Sequence, residues 1–220
     1  MLLLRPPGVY RAQGDTSLLR HVLRERGRNG EFVGRSVLDV ASGTGALGIE
    51  ALRAGAASLT AIDLSRRSVA ATWLNSRLHG IPAVVLRGDL FAPVASRRFG
   101  LVLANPPYVP SDTPSPPRYR MARCWDAGPD GRLLLDRICA GAPAVLDEDG
   151  VLLLVQSALS GEQATLDRFE KAGLVSEVLM RARIPFGPVL RSRAHTLRDR
   201  GLIGPDQTEE ELVVIEARHG

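Results

Sequence analysis

The chain has 220 residues, a length that fits one α/β domain and needs no disulfide to hold its core. Hydrophobic residues make up 45% and charged residues 24%, which is ordinary globular composition and excludes a disordered or fibrous chain. The net charge of +4 is carried almost wholly by arginine, Lys171 being the sole lysine, and it permits nucleic-acid or acidic-protein partners without requiring either.

The lead, residues 1–35, opens on Met1-Leu2-Leu3-Leu4, which stops at Arg5-Pro6-Pro7 and is too short for the apolar core of a signal peptide. It reads as irregular up to Ser17, with a helix behind it. From Ser36 onward, strand-like and helix-like segments alternate. Strands are expected at Ser36–Val40, Leu59–Ile62, Ala83–Leu86, Leu101–Ala104 and Val151–Val155, with helices at Ala46–Arg53, Arg66–Leu78, Arg132–Leu146 and Gly161–Ala172. Gly150 is taken as the end of the third of these helices and Gly173 as the cap of the fourth. Leu174–Met180 and Leu212–Ala217 are the last two strands. Continuous apolar strands between amphipathic helices imply a parallel sheet buried on both faces. No strand–helix–strand rhythm links Met180 to Leu212, so the final pair is expected as a hairpin. Its tip, Pro185–Pro205, contains Arg191, Arg193, Arg198 and Arg200, includes a short helix around Leu190–Arg200, and is expected to project from the sheet edge and bear on substrate choice. A second loop, Val109–Arg120, carries Pro110, Pro114, Pro116 and Pro117 and reads as a binding loop or lid.

No apolar run approaches the roughly 20 residues of a bilayer span, so a soluble cytoplasmic protein without membrane contact is expected. Cys124 and Cys139 fit no zinc or redox spacing and read as free thiols in a reducing compartment. His21, His79, His195 and His219 are scattered without ligand spacing, and no metal site is expected.

Val37-Leu38-Asp39-Val40-Ala41-Ser42-Gly43-Thr44-Gly45 is a strand running into a glycine turn, where the backbone can approach a ligand closely. Asp63 ends the next strand, 20 residues after Gly43, where a carboxylate can accept ribose hydroxyls. Gly43-Thr44-Gly45-Ala46-Leu47-Gly48 also fits the dinucleotide pattern Gly-x-Gly-x-x-Gly, so a nicotinamide dehydrogenase has to be weighed. Three observations favour a methyl donor. Asp39 precedes the turn, where it can reach a ligand's ammonium group. Asp89 follows the third strand in Arg87-Gly88-Asp89-Leu90, where its carboxylate or the neighbouring backbone can meet an adenine amine. Asn105-Pro106-Pro107-Tyr108, delivered by the fourth strand, has no part in hydride transfer. It suits an in-line displacement in which a planar nitrogen attacks a sulfonium methyl. The Asn105 side-chain oxygen and the Pro106 carbonyl can accept the two hydrogens of that nitrogen, Pro107 helps fix the turn, and Tyr108 can stack on the substrate's flat face.

These residues resemble the class I methyltransferases that modify amide or exocyclic amine nitrogen, and most of all the release-factor glutamine methyltransferases of the HemK type. Gly8-Val9-Tyr10-Arg11-Ala12-Gln13-Gly14-Asp15-Thr16-Ser17-Leu18-Leu19 is similar to that family's lead into its first helix, and Trp125-Asp126-Ala127-Gly128-Pro129-Asp130-Gly131-Arg132 to its segment after the catalytic loop. The resemblance covers about residues 8–182 and 211–218. It implies a single Rossmann-like domain over residues 1–220, with a seven-stranded, mostly parallel sheet closed by a C-terminal antiparallel hairpin. It implies S-adenosyl-L-methionine as cofactor, with Asp15 and Thr16 over the donor, and Asp39, Ala41, Gly43, Gly45, Asp63, Leu64, Gly88, Asp89, Leu90 and Asn105 completing its site. The acceptor it implies is a glutamine of a protein such as a translation release factor; an adenine of RNA or DNA, or a small amine, stands as the alternative, and a cofactor-binding domain without chemistry is disfavoured by the intact Asn-Pro-Pro-Tyr. The chain lacks a counterpart of the N-terminal helical domain of the bacterial enzymes and so resembles the compact archaeal and eukaryotic branch, which in eukaryotes works with a small zinc-binding partner subunit. The arginine-rich tip is longer than that branch normally carries. Arg118, Arg120 and Arg123, like the tip arginines, read either as solvated charge or as a dock for phosphate or an acidic protein.

Overall fold

Seven strands form one sheet in the computed structural model, which describes residues 1–10, 13–113 and 121–220, with backbone alone for Met121 and Arg123. Arg11, Ala12, Pro114, Pro116, Pro117, Arg118, Arg120 and the Arg123 side chain, all part of the sequence reading, lie outside the described residues. The strand order is β3-β2-β1-β4-β5-β7-β6. β1 (Ser36–Val40), β2 (Ser58–Asp63), β3 (Ala83–Arg87), β4 (Phe99–Ala104) and β5 (Leu146–Ser157) pair in parallel. β7 (Glu209–His219) runs antiparallel between β5 and β6 (Leu174–Pro185), which gives the expected terminal hairpin.

The continuous apolar runs are explained by burial on both faces. In β4, Leu101 and Leu103 face one apolar cluster, with Leu19 and Leu23 of α1 (Gly14–Arg28) and Leu47 of α2 (Ala46–Arg53). Val102 and Ala104 face the other, with Leu135 and Ile138 of α4 (Leu135–Val145) and Phe169 of α5 (Glu162–Lys171). Each fully buried leucine contributes roughly 1.5–3 kcal/mol to this arrangement. α3 (Arg66–Leu78) has the bounds read from the sequence, and Gly173 follows α5 with φ +82°, as its cap position requires.

Three expectations need correction. The lead is not irregular up to Ser17: α1 starts at Gly14, so Asp15 and Thr16 sit in its first turn. Its placement comes from Glu50 of α2, which receives Arg20 at 2.6 Å and Arg24 at 2.7 Å. Burial works against the Glu50 charge, but these two guanidiniums hold it below the usual carboxylate range. Second, the helix expected to reach Gly150 ends at Val145, and Gly150 lies inside β5, where a Cβ would come within 2.8 Å of Phe99 O, beside the irregularity in the β4–β5 register. Third, the hairpin tip does not project freely. Its helix, α6 (Pro188–Asp199), folds back, and Leu190 and Leu197 join Phe186 and Ile203 in a buried cluster against Val109 and Leu159.

The chain runs from β1 outward to β2 and β3, then crosses back to β4 on the other side of β1. That reversal leaves the carboxyl ends of β1 and β4 side by side, with Val40 opposite Ala104. Open α/β sheets bind ligands at this switch point. Among the described residues, no helix is long and apolar enough to cross a membrane.

Candidate active site

The carboxyl ends of β1, β2, β3 and β4 open into a cavity of about 850 Å³. Ala41, Gly43, Asp63, Leu64, Gly88, Asp89 and Leu90 line one half, and Asn105, Pro106, Pro107 and Tyr108 the other, together with Asp15 and Thr16. The glycine turn needs left-handed backbone at Gly43 (φ +58°) and Gly45 (φ +79°). It is held from below by α3: Thr72 Oγ1 donates to Gly43 O at 3.1 Å, and Asn75 Nδ2 donates to Thr44 O at 2.9 Å. Neither residue belongs to a motif of the sequence. Their signal is a polar stripe, Ser68, Thr72, Asn75 and Ser76, at helical spacing on a face that is buried.

Asp63 Oδ2 accepts the Gly43 N–H at 3.0 Å, and Oδ1 accepts the Ser65 N–H at 2.8 Å. The carboxylate is thus aimed along the rim of the turn. Two donor-site expectations change. Gly45 is not on the cavity wall; its missing Cβ faces Thr72 Cγ2 at 3.0 Å. Asp39 is also behind the wall, 1% exposed, with Oδ2 accepting the Gly48 N–H at 3.0 Å and Oδ1 without a hydrogen-bond partner. Burial pushes its pKa up to about 7, with the Gly48 bond opposing and the Asp63 charge adding. Asp89 stands at the rim, ion-paired at 2.8 Å to Arg137 of α4, a wall residue that the sequence reading did not single out. Two wall residues, Ala41 (φ +57°) and Leu90 (φ +47°), hold left-handed backbone despite a Cβ, at a cost of about 1–2 kcal/mol each.

At the other end, Asp15 organises the site. Its Oδ2 accepts the hydroxyls of Tyr10 at 2.8 Å and Tyr108 at 3.0 Å; its Oδ1 accepts the Thr16 N–H at 2.5 Å and hydroxyl at 3.2 Å. Because the Thr16 proton goes to Asp15, Thr16 Oγ1 is an acceptor, and it takes the Asn105 Nδ2–H at 3.1 Å. That bond distinguishes the two ends of the amide and leaves Asn105 Oδ1 as the end able to accept from a ligand. Tyr108 is only 8% exposed. Burial and the nearby Asp15 charge raise the pKa of both phenols, so they are donors throughout the physiological range. Tyr108 is therefore anchored by its hydroxyl, and only a small part of its ring is open for stacking.

The backbone after Tyr108 is held residue by residue. Ser160 Oγ donates to Tyr108 O at 2.5 Å, Val109 N–H donates to Trp125 O at 2.7 Å, Ala127 N–H donates to Val109 O at 3.1 Å, and Ser111 N–H donates to Gly128 O at 2.9 Å. Gly131 is required by close approach, since a Cβ there would lie 2.3 Å from Tyr108 O. Arg132, 8% exposed, secures Ser160 by donating to its carbonyl at 2.6 Å. Ser160 did not stand out in the sequence, because its role depends on β5 lying next to β4, and Arg132 was visible only as the end of the segment similar to the family's.

The donor half fits S-adenosylmethionine. A tight turn with accessible backbone and a carboxylate at the end of β2 suit a ligand carrying ribose hydroxyls. A methyltransferase small domain model matches residues 3–115. A protein of Methanocaldococcus jannaschii assigned as a protein N5-glutamine methyltransferase is 29% identical over 82% of this chain and 88% of its own length. The ribosomal protein uL3 glutamine methyltransferase of Bradyrhizobium diazoefficiens is 36% identical over 53% of this chain, and the release factor glutamine methyltransferase of Geobacter sulfurreducens 28% over 63%. The chain spans only 39% and 50% of those two bacterial relatives. The fold is also that of E. cuniculi Mtq2 in its complex with Trm112, with a TM-score of 0.64, 22% identity, and coverage of 97% of this chain and 99% of that one. It is a Rossmann-like class I methyltransferase fold, and the chain is an S-adenosylmethionine-dependent enzyme that belongs to the methyltransferase small domain family.

Proposed function

We propose that this protein methylates a glutamine side-chain amide in a protein of the translation apparatus, such as a release factor. The observation that carries the reading is the oriented Asn105 amide. Asp15 fixes the Thr16 proton, Thr16 fixes the Asn105 amide, and Asn105 Oδ1 is left to face a hydrogen-bond donor in the cavity that also contains the glycine turn. S-adenosylmethionine, when bound, supplies a methyl group already activated by its sulfonium, so the chain's task is to orient the nucleophile. An amide nitrogen is a poor nucleophile because its lone pair is delocalised. Asn105 Oδ1 and the Pro106 carbonyl accept its two hydrogens and turn that lone pair out of conjugation. Methyl transfer would leave the electron pair of the S–C bond on sulfur, and the nitrogen would give up one proton to water. The names of the archaeal and bacterial relatives support glutamine as the acceptor. The rival reading, an adenine of nucleic acid, loses part of its support because Arg193, one of the four tip arginines, is held against Pro110 and Asp126 instead of standing free, and Arg200 donates to the Pro129 carbonyl.

The test is methyl transfer from labelled donor to three pools: the source cell's release factor, its ribosomal proteins and its RNA. Label on a glutamine, located by mass spectrometry and lost with Asn105→Ala, is the expected result. Label in RNA with none in protein overturns the reading.

A further inference from the structure

We infer that α6 braces the acceptor loop, Asn105–Pro110, and that Arg193 is its positioning residue, setting Tyr108 without touching either substrate. Leu190, Arg193, Ala194 and Leu197 form one face of α6 at i, i+3, i+4, i+7 spacing. Its apolar members pack, with Phe186 and Ile203, on Val109 and Leu159. A guanidinium within such a stripe has to be paired. Arg193 Nη1 donates to Pro110 O at 3.0 Å, and Nη2 lies 2.6 Å from Asp126 Oδ1, whose residue is 5% exposed. Those two points lie on opposite sides of the small ladder that supports the acceptor loop, since Val109 and Asp126 form a parallel bridge. One side chain therefore clamps both strands of the ladder, two residues beyond Tyr108. A shift at Pro110 is passed through Val109 to Tyr108, which cannot simply follow because its hydroxyl is tied to Asp15. By contrast Arg191 and Arg198 are exposed on the outer face of α6 and play no part in the clamp.

The inference rests on the methyl-transfer reading for what the loop serves, but its first test does not depend on the acceptor. Amide hydrogen exchange is measured in the full chain for wild type, Arg193→Gln, Asp126→Asn, the double variant, and Arg191→Gln/Arg198→Gln as control. Arg193→Gln is expected to speed exchange at Val109 and Ala127 by about tenfold or more, while the amides inside α6 keep their protection. Asp126→Asn should do the same, and the double variant no more than either alone. With the release factor as acceptor, turnover at saturating donor should fall by about tenfold or more while donor affinity stays within about twofold. Wild-type exchange at Val109 and Ala127, or loss of protection throughout α6 as well, overturns the brace. If no release factor is methylated by wild type, the acceptor assignment fails while the exchange result still decides the clamp.

Discussion

Thr16→Val is the most informative single change at this site, because it keeps the shape of the side chain and removes only the hydroxyl between Asp15 and Asn105. In the wild type that oxygen accepts the Asn105 Nδ2–H at 3.1 Å and donates to Asp15 Oδ1 at 3.2 Å. A neutral hydrogen bond of this kind contributes about 0.5–1.5 kcal/mol. Without it the two orientations of the Asn105 amide come closer in energy, and the orientation that presents nitrogen instead of oxygen to the acceptor becomes populated. If that bond supplies the whole preference, the two orientations become equally populated and turnover falls by about twofold. Asn105→Ala, which removes the accepting oxygen itself, should cost on the order of a hundredfold or more. The assay is single-turnover methyl transfer with donor and release factor saturating, paired with calorimetric donor binding, and Thr16→Ser as the variant that restores the hydroxyl. Thr16→Val should lower turnover with donor affinity near wild type, and Thr16→Ser should recover most of it. Wild-type turnover in Thr16→Val, combined with a matching loss of donor affinity, would refute the relay and make Thr16 a donor ligand, as the family resemblance implies.

Asp63→Ala should weaken S-adenosylmethionine binding by about 1–3 kcal/mol, the scale of charge-assisted hydrogen bonds. It should also lower thermal stability, because the Gly43 and Ser65 N–H groups lose their acceptor; calorimetry showing unchanged affinity would displace the ribose from this carboxylate. Glu210, 7% exposed on β7, is pushed up to about 7 by burial, with the Ser157 hydrogen bond opposing and the Asp15 charge adding. An acid whose pKa is raised on folding stabilises the native state fully below its unfolded value, and that contribution is lost as pH rises through about 7. Glu210→Gln should therefore gain on wild type between about pH 4.5 and 8, by on the order of 3 kcal/mol in denaturant unfolding; parallel pH profiles would show Glu210 is not protonated in the native state. Ala41→Gly should raise the melting temperature, since relief of left-handed strain of about 1–2 kcal/mol exceeds the roughly 0.5–1 kcal/mol entropic cost of glycine. A lower melting temperature would mean the methyl group has a packing role that outweighs the strain.

Much of the framework is local in origin and was legible in the chain. The sheet could be read because parallel strands buried on both faces leave unbroken apolar runs, and the glycine turn because only glycine accepts φ near +58° and +79° at positions 43 and 45 without strain. Asn105-Pro106-Pro107-Tyr108 was visible because it directly follows a strand and is stopped by its own prolines. Tertiary structure decided what those residues touch. Asp39, adjacent to the turn in sequence, lies behind the cavity wall because the Gly48 N–H of α2 draws it into the core. Asp89 is claimed by Arg137, which is 48 positions away and meets it only because α4 packs against Phe91 in the segment after β3. Gly150 looked like a helix stop, but its lack of a side chain serves the close approach of Phe99 O from the neighbouring strand. The tip arginines share a composition, yet Arg193 is clamped between Pro110 and Asp126 while Arg191 and Arg198 face outward. Periodicity and backbone stereochemistry act over a few residues, so the sequence by itself determined most of the elements and pointed to the carboxyl ends of β1, β2, β3 and β4. Hydrogen-bond partners and burial arise between segments tens of residues apart, so only the folded chain decided that Asp15 serves as the hub for Tyr10, Tyr108 and Thr16.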